Sequence, residues 1–184
     1  MISLPRGADK YRWQSSGFIQ AMICKGERVH LWSEKYDTTR VWRSIHDHKF
    51  WFKSTVLVGQ LNCVEYKVEE HPDGDYKLWS SVTKCLGPCF LIKVRDYTVN
   101  AGETYEFGGP GRYHDTLKGV DTMTHVTMTS IDGRYSNQFV LPFDAKPDHI
   151  TAKEHAPTKE QMRDEVIRVY TSIIDDAATE TILS

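Results

Sequence analysis

His46-Asp47-His48-Lys49-Phe50-Trp51-Phe52-Lys53-Ser54-Thr55-Val56-Leu57-Val58-Gly59 decides the fold. Aromatic and β-branched residues dominate it, which argues for an extended strand ended by a glycine turn. On such a segment residues two apart share a face. His46, His48, Phe50, Phe52 and Ser54 form one side, and Lys53 falls on the other unless a bulge intervenes. Two imidazoles on one side make half of a metal site.

Similar segments recur at Phe18–Ile23, Val29–Ser33, Val41–His48, Leu61–Val68, Tyr76–Val82, Phe90–Val99, Thr104–Phe107, Thr122–Thr129 and Gln138–Leu141. Turn chemistry separates several of them, at His71–Asp75, Asn100–Gly102, Gly108–Gly111 and Asp132–Arg134. Many strands at short spacing predict an all-β sandwich or barrel over residues 1–143. Residues 144–184 differ. A polar linker leads to Thr158-Lys159-Glu160-Gln161, a Thr-x-x-Gln helix start, and then to Met162, Val166, Val169, Tyr170 and Ile173 at helical spacing. That apolar stripe packs on the barrel or forms a homodimer contact.

The 184 residues suit one domain with a sizeable core. A net charge of −2 gives no electrostatic reason to expect nucleic acid or membrane as a partner. No apolar run approaches the roughly 20 residues that span a bilayer. The first residues lack the apolar region of a secretory signal, so the expected location is cytoplasmic. Cys24, Cys63, Cys85 and Cys89 are then expected as buried or half-buried thiols.

A second block follows downstream. Gly102-Glu103-Thr104-Tyr105-Glu106-Phe107-Gly108-Gly109-Pro110-Gly111-Arg112-Tyr113-His114 reads as a strand, a Gly/Pro turn and a histidine opening the next strand. Together the two blocks resemble the two cupin motifs, with His46, His48 and Gly59 in the first and Gly102, the turn and His114 in the second. The stretch from Ile45 to Gly59, read with Ala101–His114, is similar to cupin-like proteins of phages and bacteria that carry a His-Asp-His block. The resemblance implies a cupin-type jelly-roll barrel with one C-terminal α-helix, in the cytoplasm of a bacterium or a phage-infected host. The inter-motif distance leaves room for an added hairpin around Pro72–Gly74.

One departure from the motif is informative. The usual metal-binding glutamate falls at Phe52 or Lys53. Two readings stay open. In the first, His46, His48 and His114 hold ferrous iron or another divalent metal, a set that resembles the three-histidine sites of thiol dioxygenases. In the second the metal is lost, and Lys53 serves an anionic ligand.

Around the triad, His125 and Tyr105 are candidate catalytic groups, with Tyr113 flanking the same block, and Lys53, Arg112, Trp32 and Phe52 are candidate substrate contacts. His30 shares a face with Trp32, and Arg43 and Arg95 are further candidates to orient an anion. The leading function is an oxygenase acting on a small molecule. The alternatives are a protein that sequesters a small anionic metabolite or nucleotide, and a sugar-phosphate isomerase or epimerase. A 2-oxoglutarate oxygenase ranks lower because Asp47 directly follows His46. The His-x-Thr tripeptides at His114, His125 and His149 raise a two-histidine phosphoesterase, which ranks last.

Overall fold

The computed structural model describes residues 2–14, 16–36, 45–80, 84–118, 121–132, 136–145 and 156–183. The expectations for residues 41–44, including Arg43, and for His149-Ile150-Thr151 lie outside the described residues.

In chain order the elements are β1 (Tyr11–Gln14), β2 (Phe18–Cys24), β3 (Glu27–Trp32), β4 (Ile45–His46), β5 (Phe50–Val58), β6 (Gln60–Glu70), β7 (Tyr76–Ser80), β8 (Lys84–Asn100), β9 (Thr104–Gly108), β10 (Tyr113–Lys118), β11 (Thr122–Ile131), β12 (Gln138–Pro142) and α1 (Lys159–Leu183). They form two antiparallel sheets. The first has the order β1-β2-β3-β11-β5-β9; the second closes on itself as β10-β4-β12-β7-β8-β6. From β3 onward the chain passes repeatedly between the two, which is the jelly-roll course expected from the short, evenly spaced strands. Among the described residues no helix is long and apolar enough to cross a membrane.

Three apolar layers hold the fold. On the outer face of the first sheet, Met162, Val166 and Val169 of α1 pack on Tyr11, Ile19, Ala21, Val29, Leu31 and Met123. Each such buried side chain contributes roughly 1.5–3 kcal/mol. The helix starts as its sequence predicts: the Gln161 amide donates to Thr158 Oγ1 (3.2 Å), and the Thr158 amide donates to Gln161 Oε1 (2.8 Å). Inside the closed ring, Leu78, Cys89, Tyr113 and Val140 form a second core with Ile45 and Val68. The third layer lies between the sheets, where Trp32 and Val56 meet Leu61, Cys63 and Val99.

Several expectations need correction. β1 was not foreseen; it alternates a buried Tyr11 with an exposed Arg12 and pairs with β2 at the sheet edge. Pro72–Gly74 does not head a hairpin, because β6 and β7 both pair with β8 rather than with each other. The added hairpin is β7–β8. Gly74 is needed where it is because a Cβ there would stand 2.3 Å from the Cys89 carbonyl carbon. Cys63 and Cys89 are buried thiols, but Cys24 and Cys85 sit near strand ends and are exposed.

Candidate metal centre

The His-Asp-His block is a corner rather than the start of one long strand. His46 ends β4 in the ring, and Phe50 opens β5 in the other sheet. The break has a cause in Asp47. Its carboxylate is fully buried and accepts from the Gln138 amide (2.6 Å) and the Gly111 amide (2.9 Å), while its own amide donates to the Gln138 carbonyl (3.0 Å). A short acidic side chain that binds backbone in this way competes with regular strand pairing. Here it ties together β12, the Gly/Pro turn before His114 and the crossover carrying both histidines.

His114, the second residue of β10, lies directly opposite His46, so their side chains share a face. That face is not the lumen of the ring. Tyr113 points into the ring core, and His114 points the other way, into the cleft between the sheets. There Phe107 stacks on it with ring centres 4.3 Å apart. The aromatic rings of His46, His48 and His114 lie 4.7–5.0 Å from one another. One ligand nitrogen from each falls within 4.8 Å of the others. His48 Nε2 and His114 Nε2 stand 2.9 Å apart. Two nitrogens each about 2.0–2.1 Å from one ion stand about 2.9 Å apart when they subtend a right angle, and about 3.4 Å when tetrahedral. The His48–His114 spacing therefore fits two cis imidazoles on one metal, with His46 close enough to complete the set on a small adjustment of its ring.

Burial sets the protonation of this site. It holds His48 well below the ordinary imidazole range, helped by His46, His114, Arg28 and His30 nearby. Burial does the same for His114, with His46 and Arg112 adding to it. His30 is also held low by burial, then by Arg28 and His46. Neutral imidazoles are ready ligands, since metal binding requires deprotonated nitrogen.

The three imidazoles also make stability depend on pH. Below about 6.5 the unfolded chain takes up protons that the folded chain refuses, so the unfolded state binds more protons and folding weakens as pH falls. The slope is at most about 1.4 kcal/mol per group per pH unit. Metal-free protein should show a level denaturation midpoint from pH 8 to about 7 and a falling one from about 6.5 to 5.5. A midpoint that stays level to pH 5.5 would contradict this.

The remaining candidates separate clearly. Phe52 is buried and meets His48 edge-on at 5.1 Å and His114 at 6.4 Å, so an apolar ring occupies the place expected for a carboxylate. Tyr105 lies behind it, 6.1 Å from Phe52, and burial pushes its phenol up, keeping it protonated. Arg112 stands at the rim, its guanidinium 4.8 Å from the Phe107 ring centre and 3.3 Å from the Glu65 carboxylate. Trp32 faces the cleft but packs in its apolar end, 4.9 Å from Phe18 and 5.9 Å from His30.

Two candidates lie away from the cleft. Lys53 is exposed on the opposite face, as strict alternation between buried Phe52 and Ser54 requires. His125 also points away from the cleft. It shares its face of β11 with Met123, which belongs to the core under α1, and its Nε2 lies 2.7 Å from Glu27 Oε1. With His114 in the cleft and His125 outside it, the two described His-x-Thr tripeptides do not converge.

Sequence reading missed other cleft groups. Glu65, opposite His114 on β6, is buried and pairs with Arg95 (2.6 Å) as well as Arg112. Burial alone would raise its carboxyl, but Arg95, Tyr97 and Arg112 outweigh that and hold it below the usual range. The alternation Leu61, Cys63, Glu65 was the available signal. Arg28 also faces the cleft, its guanidinium 4.8 Å from the Phe50 ring centre. Extending the His30/Trp32 face by two residues would have found it.

No family model matches this sequence, and no curated protein matches it. Solved structures give distant likenesses. One is Drosophila melanogaster CENP-C bound to CAL1, at 9% identity and a TM-score of 0.38, covering 67% of this chain and 85% of that one. Another is CoII HppE in complex with substrate, at 11% identity and a TM-score of 0.34, covering 69% of this chain. The match spans 57% of the HppE chain. Neither likeness assigns a function to this protein.

Proposed function

We propose that this protein is a cupin-like metalloenzyme in which His46, His48 and His114 hold one divalent metal, and that it is a non-haem iron oxygenase acting on a small molecule. The reading is carried by the cluster itself: three imidazoles with ligand nitrogens within 4.8 Å, one pair of them at 2.9 Å. Ferrous iron bound there would supply redox chemistry with dioxygen, because three neutral nitrogen ligands leave positions open for other groups.

The chain's own residues do the rest. Asp47 fixes the crossover that carries His46 and His48. Phe52 and Phe107 wall the cleft and exclude water beside the imidazoles. Phe107 also sets the plane of His114 by stacking on it. Tyr105 keeps its proton on the phenolic oxygen, behind Phe52.

The test is metal content with turnover. Full-length protein loaded anaerobically with ferrous iron and then desalted should retain about one equivalent per chain. It should consume dioxygen when given a substrate that fits the cleft. Retention below about a tenth of an equivalent for iron and for other first-row metals overturns the proposal.

A second reading has its own observation, since 2.9 Å is also the distance of a hydrogen bond between two neutral imidazoles. On that reading the cleft binds a small ligand without metal, and the protein would purify with that ligand and no ion.

A further inference from the structure

Buried polar atoms are normally paired, and those left over ask for a ligand or ordered water. Among the described residues six side-chain atoms are shut off from solvent without a hydrogen-bond partner at normal geometry, and three of them, Arg28 Nε, His30 Nε2 and Thr124 Oγ1, lie together. Arg28 and His30 alternate on β3, facing the cleft. Thr124 lies directly opposite His30. Val126, the next cleft-facing residue on β11, lies beside Arg28. The three atoms thus belong to two adjacent strands of one sheet wall. Those strands are about 4.8 Å apart, so a single small group spans the patch.

The patch adjoins the histidines. The Arg28 guanidinium and the His48 ring both rest on Phe50, at 4.8 and 4.9 Å from its ring centre. Arg28 has no carboxylate partner among the described residues, unlike Arg95, Arg112 and Arg168. A half-buried arginine without a counter-ion is costly unless an anion reaches it.

We infer that Arg28, with His30 and Thr124, forms the subsite that receives the carboxylate of a small acid substrate whose other end reaches the three histidines. One guanidinium balances one negative charge, so a monoanionic carboxylate suits the wall better than a dianion. A carboxylate also matches the planar fork of the guanidinium, with oxygens left for the imidazole and the Thr124 hydroxyl. This inference rests on the metal-centre reading only for what happens at the substrate's other end.

The experiment uses full-length protein treated with chelator, so that no metal competes for the probe. Propionate is titrated by calorimetry, with propionamide as the neutral isostere and inorganic phosphate as the dianionic arm. Saturable binding of propionate, none of propionamide, and at least tenfold weaker binding by Arg28→Met are expected. Arg28→Lys, which keeps the charge without the fork, should fall between the two. Arg28→Met should retain the circular dichroism spectrum and metal uptake of the parent.

Absence of propionate binding, equal binding by Arg28→Met, or binding of phosphate in preference to propionate overturns the assignment. Propionate binding by a protein that takes up no metal would leave the subsite standing and sink the metal reading. Metal uptake without propionate binding would do the reverse.

Discussion

Replacing His114 with alanine is expected to lower divalent-metal affinity by more than about 100-fold while the chain stays folded. Loss of a group that merely orients a ligand costs about 10–100-fold in metal affinity, so loss of a ligand costs more. His114 is the hinge of the cluster. It pairs directly with His46 across the strands, and its Nε2 lies 2.9 Å from that of His48. The fold should survive because His114 borders one apolar cluster, that of Phe50, Phe52 and Phe107, while the cores under α1 and inside the ring lie elsewhere. The change in folding free energy should stay below about 2 kcal/mol, in the range of ordinary substitutions. Elemental analysis after metal loading, together with urea unfolding of the metal-free protein, measures both quantities. A variant that kept one equivalent of metal would remove His114 from the ligand set.

Asp47→Ala is expected to act on both quantities at once. Each backbone amide bonded to a buried carboxylate is worth about 1.5–3 kcal/mol, and among the described residues Asp47 accepts from the amides of Gln138 and Gly111. Alanine leaves both amides without their acceptor in the interior. A loss of about 3–5 kcal/mol follows, enough to unfold a marginal domain. In the fraction that stays folded, metal affinity should fall by about 10–100-fold, because the crossover carrying His46 and His48 is no longer tied to the turn before His114. Asp47→Asn keeps the size but presents an amide N–H₂ to one of two donors, so it should lose about half as much stability. The contrast with His114→Ala is diagnostic. A merely structural Asp47 would lower the unfolding midpoint without weakening metal binding in the folded protein, read by titration well below that midpoint.

Much of this was legible because one face of most strands is packed and the other is wet. In β5 the buried residues are Phe50, Phe52, Ser54 and Val56, so a period of two could be read from composition alone. The helix start was legible because its capping groups are local in sequence. Alternation cannot say which of two faces looks inward, and that is why His125 was misplaced. Met123, His125 and Thr127 do share a face, but the helix that claims it lies some forty residues downstream. The break at Asp47 was hidden for a related reason, since its partners Gly111 and Gln138 are remote in sequence. Arg28 went unnoticed because an arginine in a strand is ordinarily exposed, and only the tertiary fold shows that it lacks an acid to pair with.

The ring with its own core has an implication for how such a protein can change. In most sandwiches the space between the sheets is the core, and altering it risks the fold. Here strands from all parts of the ring bury Leu78, Cys89, Tyr113 and Val140 against one another, and α1 seals the far side of the other sheet. The space between the sheets therefore shares its structural duty with two other cores. Its apolar end, where Trp32, Val56, Leu61, Cys63 and Val99 pack, still carries load. Divergence should concentrate at the other end, around the histidines, where part of the load is borne elsewhere.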